Sequence, residues 1–307
     1  MVTIRNLQKS YKNFRVLDGL NMNVPAGEVY GFLGKNGCGK TTTMNILCNV
    51  IPKDGGDVIL GDENSGEGSK IKIGYLPETP SLFNYMNGYE YLRYIAACCK
   101  YEGNINSRID EVMEIVGMRE GGKRTIKGYS RGMNQRMGIG AIIFDHPQIL
   151  VLDEPTSALD PEGRADVMNI IRSLAQTGCT IILCTHILSD VEKAAGSIGI
   201  LKNGKMVIEG KINDVLMDYA KPEIELKLFD PNERSVSLVR SLEQDPLIEK
   251  VDFYENTGYF VIRTNQLENA AGLLMKTLGE NSIVPSEMKA VTESLEDIYL
   301  KVVNDNA

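Results

Sequence analysis

Residues 34–41 read GKNGCGKT, matching the pattern G-x-x-x-x-G-K-S/T, with the apolar run VYGFL directly before them and TTTMNILCNVI directly after. Strand before and helix after leave few folds open, because such a loop sits at the carboxyl end of a buried strand and leads into a helix N-terminus. Glycines let successive backbone N–H groups turn inward around a phosphate, and the helix start adds its positive end. Lys40 is expected to reach the β- and γ-phosphates of a nucleotide and serve its hydrolysis. Thr41 is expected to offer its hydroxyl to Mg2+, while Gly34, Asn36, Gly37, Cys38, Gly39 and Thr42 complete the loop.

A second motif gives the loop its partner. ILVLDE at 149–154 is a buried strand that delivers two carboxylates at its end. Asp153 suits Mg2+ held through its water shell, because magnesium keeps several waters and takes few protein carboxylates. Glu154, next to it, is free to orient and partly deprotonate an attacking water.

Up to about residue 215, β-branched apolar runs alternate with amphipathic stretches, the pattern of an α/β sheet buried between helices. DPEGRADVMNIIRSLAQTG predicts a helix with Asp160 as N-cap, Pro161 at its first position and Gly178 at its stop. Asn203-Gly204 predicts the turn of a hairpin over 198–210. A mostly helical subdomain is expected over about 78–145. After a linker at 216–222, the order β-α-β-β-α-β plus a final helix over 292–303 predicts a small α+β, ferredoxin-like domain over 223–307. Its penultimate helix carries Leu267, Ala270, Ala271, Leu274 and Leu278 on one face, with Asn265 and Glu268 at capping-box spacing.

With 307 residues, 43% apolar and 24% charged, the chain reads as a soluble globular protein. Its longest apolar runs fall far below the roughly 18 residues a spanning helix needs, and MVTIRNLQKSYKNF does not read as a secretory signal. Cysteines at 38, 48, 98, 99, 179 and 184 form no CxxC pair, which argues against zinc and disulfides and for a reduced cytosol. Of the net charge of −8, residues 221–307 carry 9 Lys and Arg against 16 Asp and Glu. No basic cluster is present in either half, so nucleic acid is not the expected partner.

The phosphate loop, LVLDEPTSALD, CTHIL and YSRGMNQR together resemble the ATP-binding subunits of ABC transporters over residues 1 to about 215. The subfamily serving ABC-2-type export permeases is nearest, as S-R-G-M in place of LSGGQ and the late SLEDIY indicate. The resemblance implies an ATP- and Mg2+-dependent ATPase that forms a homodimer or paired cassette and drives a separate integral-membrane permease from the cytoplasmic side of the membrane. It makes Ser130 and Gly132 the signature residues touching ATP on the other subunit, Asp160 the aspartate facing the dimer and His186 the switch histidine. Tyr11 resembles the aromatic on which adenine stacks, and Glu78 in GYLPE stands where the family carries a glutamine, within reach of metal or water. The aromatics Phe83, Tyr85, Tyr89, Tyr91, Tyr94 and Tyr101 fall where the family receives a helix of the permease, two or three of them expected at the surface. Cys38, beside Lys40 and a helix start, is expected to have a lowered thiol pKa. The other class considered is a soluble ABC-type ATPase acting on nucleic acid or the ribosome. The single cassette and the lack of a basic surface oppose it.

Overall fold

The computed structural model describes residues 1–61, 71–219, 223–291 and 294–304. Residues 220–222 of the expected linker and the first two of the expected final helix lie outside them. In chain order the elements are β1 (Val2–Tyr11), β2 (Phe14–Val24), β3 (Val29–Gly34), α1 (Lys40–Leu47), β4 (Gly55–Leu60), β5 (Ile73–Leu76), α2 (Gly88–Cys98) and α3 (Ile105–Ile115). Next come α4 (Arg131–Ile143), β6 (Ile149–Asp153), α5 (Pro161–Gln176), β7 (Thr180–Cys184), α6 (Leu188–Ala194), β8 (Ser197–Lys202), β9 (Lys205–Lys211) and α7 (Ile212–Asp218). The last are β10 (Glu223–Leu228), α8 (Glu233–Ser241), β11 (Lys250–Tyr254), β12 (Tyr259–Arg263), α9 (Leu267–Glu280), β13 (Pro285–Ala290) and α10 (Leu295–Asn304).

Two compact units result, Met1–Asn213 with Tyr299–Ala307, and Asp214–Ile298. The first is built on a six-stranded sheet of order β5-β6-β7-β3-β8-β9, parallel except for β9 on its edge. β3, β6 and β7 are buried at every residue, which is why they read as continuous apolar runs rather than alternating ones. β8 and β9 meet at Asn203-Gly204, where φ is +50° and +75°, the pair of positive angles that favours Asn-Gly. α5 starts and stops as its sequence dictates, with Asp160 Oδ1 accepting the Gly163 N–H at 3.0 Å and Gly178 just past its end at φ +87°.

A second sheet, β2-β1-β4, is antiparallel throughout and was not legible in the sequence. Val2, Ile4, Leu7, Leu17, Leu20, Met22 and Val24 bury its inner face in one core with Phe32, Met44 and Val151. Between β5 and β6 stand α2, α3 and α4, within the stretch over which a helical subdomain is expected. Its α2 begins with a full capping box of Asn87 and Glu90. The buried Arg108 of α3 donates to the Ile143 and Phe144 carbonyls, satisfying the open end of α4. Arg136 ties α4 to Asp166 of α5 at 3.3 Å.

The second unit has the sheet order β11-β12-β10-β13, all antiparallel, with α8 and α9 in the βαββαβ order of a ferredoxin-like fold. Ile224, Leu226, Phe260, Ile262, Leu274 and Leu278 fill its core. One cap differs from expectation. Gln266, not Asn265, precedes α9, and no side chain caps it. The buried Thr264 hydroxyl instead accepts the Gln266 N–H at 3.0 Å, an ST-type turn that displaces the capping box.

Candidate active site

Four neighbouring strands converge at their carboxyl ends, β3 on the phosphate loop, β5 on Glu78, β6 on Asp153 and Glu154, and β7 on His186. That is where a doubly wound sheet places its ligands. The residues line one cavity of about 450 Å³ together with Asn36, Gly37, Gly39, Lys40, Thr41 and Thr42.

The loop takes its shape from its glycines. Gly39 sits at φ +116° as N-cap of α1, and a Cβ there would lie 2.7 Å from Leu17 Cδ2. The opening N–H groups of α1 have no partner within the helix, and no side chain caps them. Lys40 is nearly buried, its Nζ donating to the Gly34 and Lys35 carbonyls at 2.7 and 3.3 Å. Phosphate oxygens, being charged acceptors, make stronger bonds to that ammonium than these neutral carbonyls do.

Thr41 Oγ1 donates to Asp153 Oδ2 at 3.2 Å. Burial pushes the Asp153 carboxyl up, and the Glu154 and Glu78 charges push the same way; the Thr41 bond and Lys40 oppose them. A hydroxyl and a carboxylate side by side are hard oxygen donors suited to Mg2+. Among the described residues no three His, Cys, Asp or Glu side chains cluster as a metal site.

Glu154 stands at φ +49°, a left-handed conformation that costs a non-glycine residue on the order of 1 kcal/mol. Its backbone N–H still donates to the Cys184 carbonyl of β7 at 2.8 Å, and the positive φ then turns the chain out of β6. Its Oε2 receives the Thr185 hydroxyl at 3.2 Å and lies 2.9 Å from His186 Nδ1. Glu154 itself lines the cavity. Thr156, two residues on, donates to the buried Asp190 at 2.7 Å, and Arg164 donates to the same carboxylate at 2.8 Å. Breaking such a pair from one side costs about 3 kcal/mol.

Six expected residues do not line the cavity: Tyr11, Gly34, Cys38, Ser130, Gly132 and Asp160. Tyr11 ends β1, half exposed, with Lys9 Nζ 5.5 Å from its ring centre. Val16 lines the cavity, a residue that sequence reasoning missed because an aliphatic strand residue carries no chemical signature. Cys38 departs from expectation, because burial pushes its thiol up and outweighs the lowering by Lys40. Ser130 is the N-cap of α4, its Oγ accepting the Met133 N–H at 3.2 Å. A hydroxyl that accepts in this way still has its own proton to donate. Gly132 lies beside the first turn of α5, a Cβ on it 3.8 Å from Gly163 Cα.

The parallel sheet, the phosphate loop and the carboxylates facing it define a P-loop ATPase of the ATP-binding cassette type. Residues 17–157 match the family described as ABC transporter. The bacitracin transport ATP-binding protein BcrA of Bacillus licheniformis is 32% identical over 99% of this chain and 97% of its own length. The lantibiotic transport ATP-binding protein SrtF of Streptococcus pyogenes is 37% identical over 68% of this chain and 90% of its own. The chain belongs to the ABC transporter ATP-binding proteins, whose cassette hydrolyses ATP. The cassette MJ0796, solved as a dimer bound to ADP and Pi, shares the fold at a TM-score of 0.61 and 24% identity, over 69% of this chain and 99% of its own.

Proposed function

We propose that this chain is the ATP-hydrolysing subunit of an exporter, closing head to tail on a second cassette over two MgATP and driving a separate membrane permease from the cytoplasmic face. The observation that carries it is the Glu154 carboxylate, held by Thr185 and His186 in the same cavity as Lys40 and the Thr41–Asp153 pair.

In this reading Lys40 and the N–H groups opening α1 hold the β- and γ-phosphates. Thr41 and Asp153 hold Mg2+, which when bound neutralises charge developing on the phosphates. Glu78 lies in the same cavity and adjusts the affinity for that ion. Glu154 Oε1 accepts a proton from the attacking water and orients it for in-line attack. His186, with Nδ1 2.9 Å from Oε2, turns its other ring nitrogen to the γ-phosphate. Ser130 and Gly132 serve the ATP of the opposite subunit, and Asp160 faces it across the dimer. Tyr11 supplies the stacking surface for adenine.

Two arguments support the transport role. Relatives matching nearly the whole chain are named for bacitracin transport, which favours a cargo of that class. On the helical subdomain Phe83, Tyr85, Tyr91 and Tyr94 form one cluster, Phe83 stacked on Tyr85 and edge-on to Tyr91 and Tyr94, with Tyr85 and Tyr94 exposed, a surface suited to an amphipathic helix. No helix among the described residues is long and apolar enough to cross a membrane, so a transport role needs a permease partner. The test is co-purification with a membrane protein encoded beside it, followed by ATPase assay of the pair. Permease-stimulated hydrolysis abolished by Glu154→Gln supports the reading; no association, or turnover indifferent to Glu154, contradicts it.

A further inference from the structure

We infer that Asp190 is a positioning residue for ATP hydrolysis, holding the loops of Glu154 and His186 in register. This rests on the reading of Glu154 and His186 given above.

His186 is exposed, but the residues on either side of it are anchored. Thr185 is fully buried, its hydroxyl donating to Glu154 and accepting the Ile187 N–H at 3.0 Å, which turns the chain into α6. Asp190, 3% exposed, lies in the first turn of α6. Its Oδ2 receives the buried Thr156 hydroxyl at 2.7 Å, and its Oδ1 receives Arg164 Nε at 2.8 Å. Arg164 also donates to Ser189 Oγ at 2.7 Å, so the guanidinium grips two adjacent residues of the switch helix.

Each of these partners belongs to a different part of the site. Thr156 follows Glu154 in the turn out of β6, and Arg164 lies in the first turn of α5, just past Asp160. Asp190 thus joins three segments through one buried carboxylate. The seven-residue α6 has no side-chain cap at its start, and the clamp adds a polar anchor in its first turn to the apolar one made by the buried Val191. If the clamp loosens, Glu154 and His186 no longer keep their 2.9 Å contact, while the phosphate loop, on β3 and α1, is untouched. The expected signature is a loss of turnover with nucleotide affinity retained, since misplacing a reacting group by about 1 Å costs on the order of 100-fold.

The test compares Asp190→Asn, Asp190→Glu and Glu154→Gln, and the double variant Asp190→Asn with Glu154→Gln, in the full chain. ATPase kcat and KM, affinity for a fluorescent ATP analogue and thermal unfolding are read for each. Asp190→Asn is expected to lower kcat at least about tenfold with affinity held within about twofold, Asp190→Glu to recover most of the rate, and the double variant to be no slower than Glu154→Gln. Unchanged kcat, a parallel loss of affinity and rate, no recovery by Glu, or additive losses in the double variant would overturn the assignment of Asp190 alone. Wild-type turnover in Glu154→Gln would overturn the reading of Glu154, and this inference with it.

Discussion

His186 Nδ1 and Glu154 Oε2 lie 2.9 Å apart, on the loops leaving the adjacent strands β7 and β6. In the proposed mechanism the contact joins the group that activates water with the group that senses the γ-phosphate. Glu154→Gln keeps the shape and loses the basic oxygen, so kcat should fall by about 100-fold or more while ATP affinity stays within a few-fold. His186→Ala should also lose turnover. Steady-state ATPase assays with parallel nucleotide titrations check both.

Glu78 adds a negative charge to a cavity that already holds Asp153 and Glu154. ATP without metal should therefore bind weakly, and Mg2+ should raise its affinity more than in Glu78→Gln. Titrating a fluorescent ATP analogue with and without EDTA measures the difference. Equal Mg2+ dependence in the two proteins would show that Glu78 does not face the triphosphate.

Asp153 has a pKa raised chiefly by burial, with a defined consequence for stability. A carboxyl whose folded pKa exceeds its unfolded value favours folding fully below the unfolded value, and that contribution is lost as pH rises through the folded one. At neutral pH without metal, the ionised Asp153 is therefore a cost. Asp153→Asn should raise the melting temperature at pH 7 in EDTA and lose that advantage as pH falls toward the ordinary carboxylate range. In the same variant, stabilisation by MgATP should vanish. Scanning calorimetry across pH reads both effects.

Cys38 should alkylate slowly despite its place in the phosphate loop, because burial pushes its thiol up. Cys98 is exposed and should react first. Peptide mapping after brief maleimide treatment at pH 7 would show Cys98 modified ahead of Cys38, and the reverse order would restore the activated-thiol expectation.

The phosphate loop, the ILVLDE strand, the Asp160-capped helix and the Asn203-Gly204 hairpin were legible because each is specified locally, by glycines, a cap or an unbroken apolar run. The β2-β1-β4 sheet was not, since Val2 pairs with Val24 on one side and Leu60 on the other, partners that no local period announces. The same holds for the site. Lys40, Asp153, Glu154 and His186, which line the cavity, stand in motifs, but Val16 reaches the cavity, and Thr185, Arg164 and Asp190 find their partners, only through contacts made after folding. Cys38 misled because its sequence neighbours are cationic while its spatial surroundings are apolar, and burial dominates.

Ser130 tests the account most directly. Its hydroxyl caps α4 and, in the proposed dimer, donates to the γ-phosphate of the opposite subunit. Ser130→Asp keeps a side-chain oxygen for the cap but sets a negative charge against that phosphate. The measurement is sedimentation velocity of Glu154→Gln, with and without Ser130→Asp, in MgATP and in MgADP. Glu154→Gln should be a dimer in MgATP alone, and the double variant a monomer that still binds ATP. A dimer that forms without ATP, or one that survives Ser130→Asp, would contradict it.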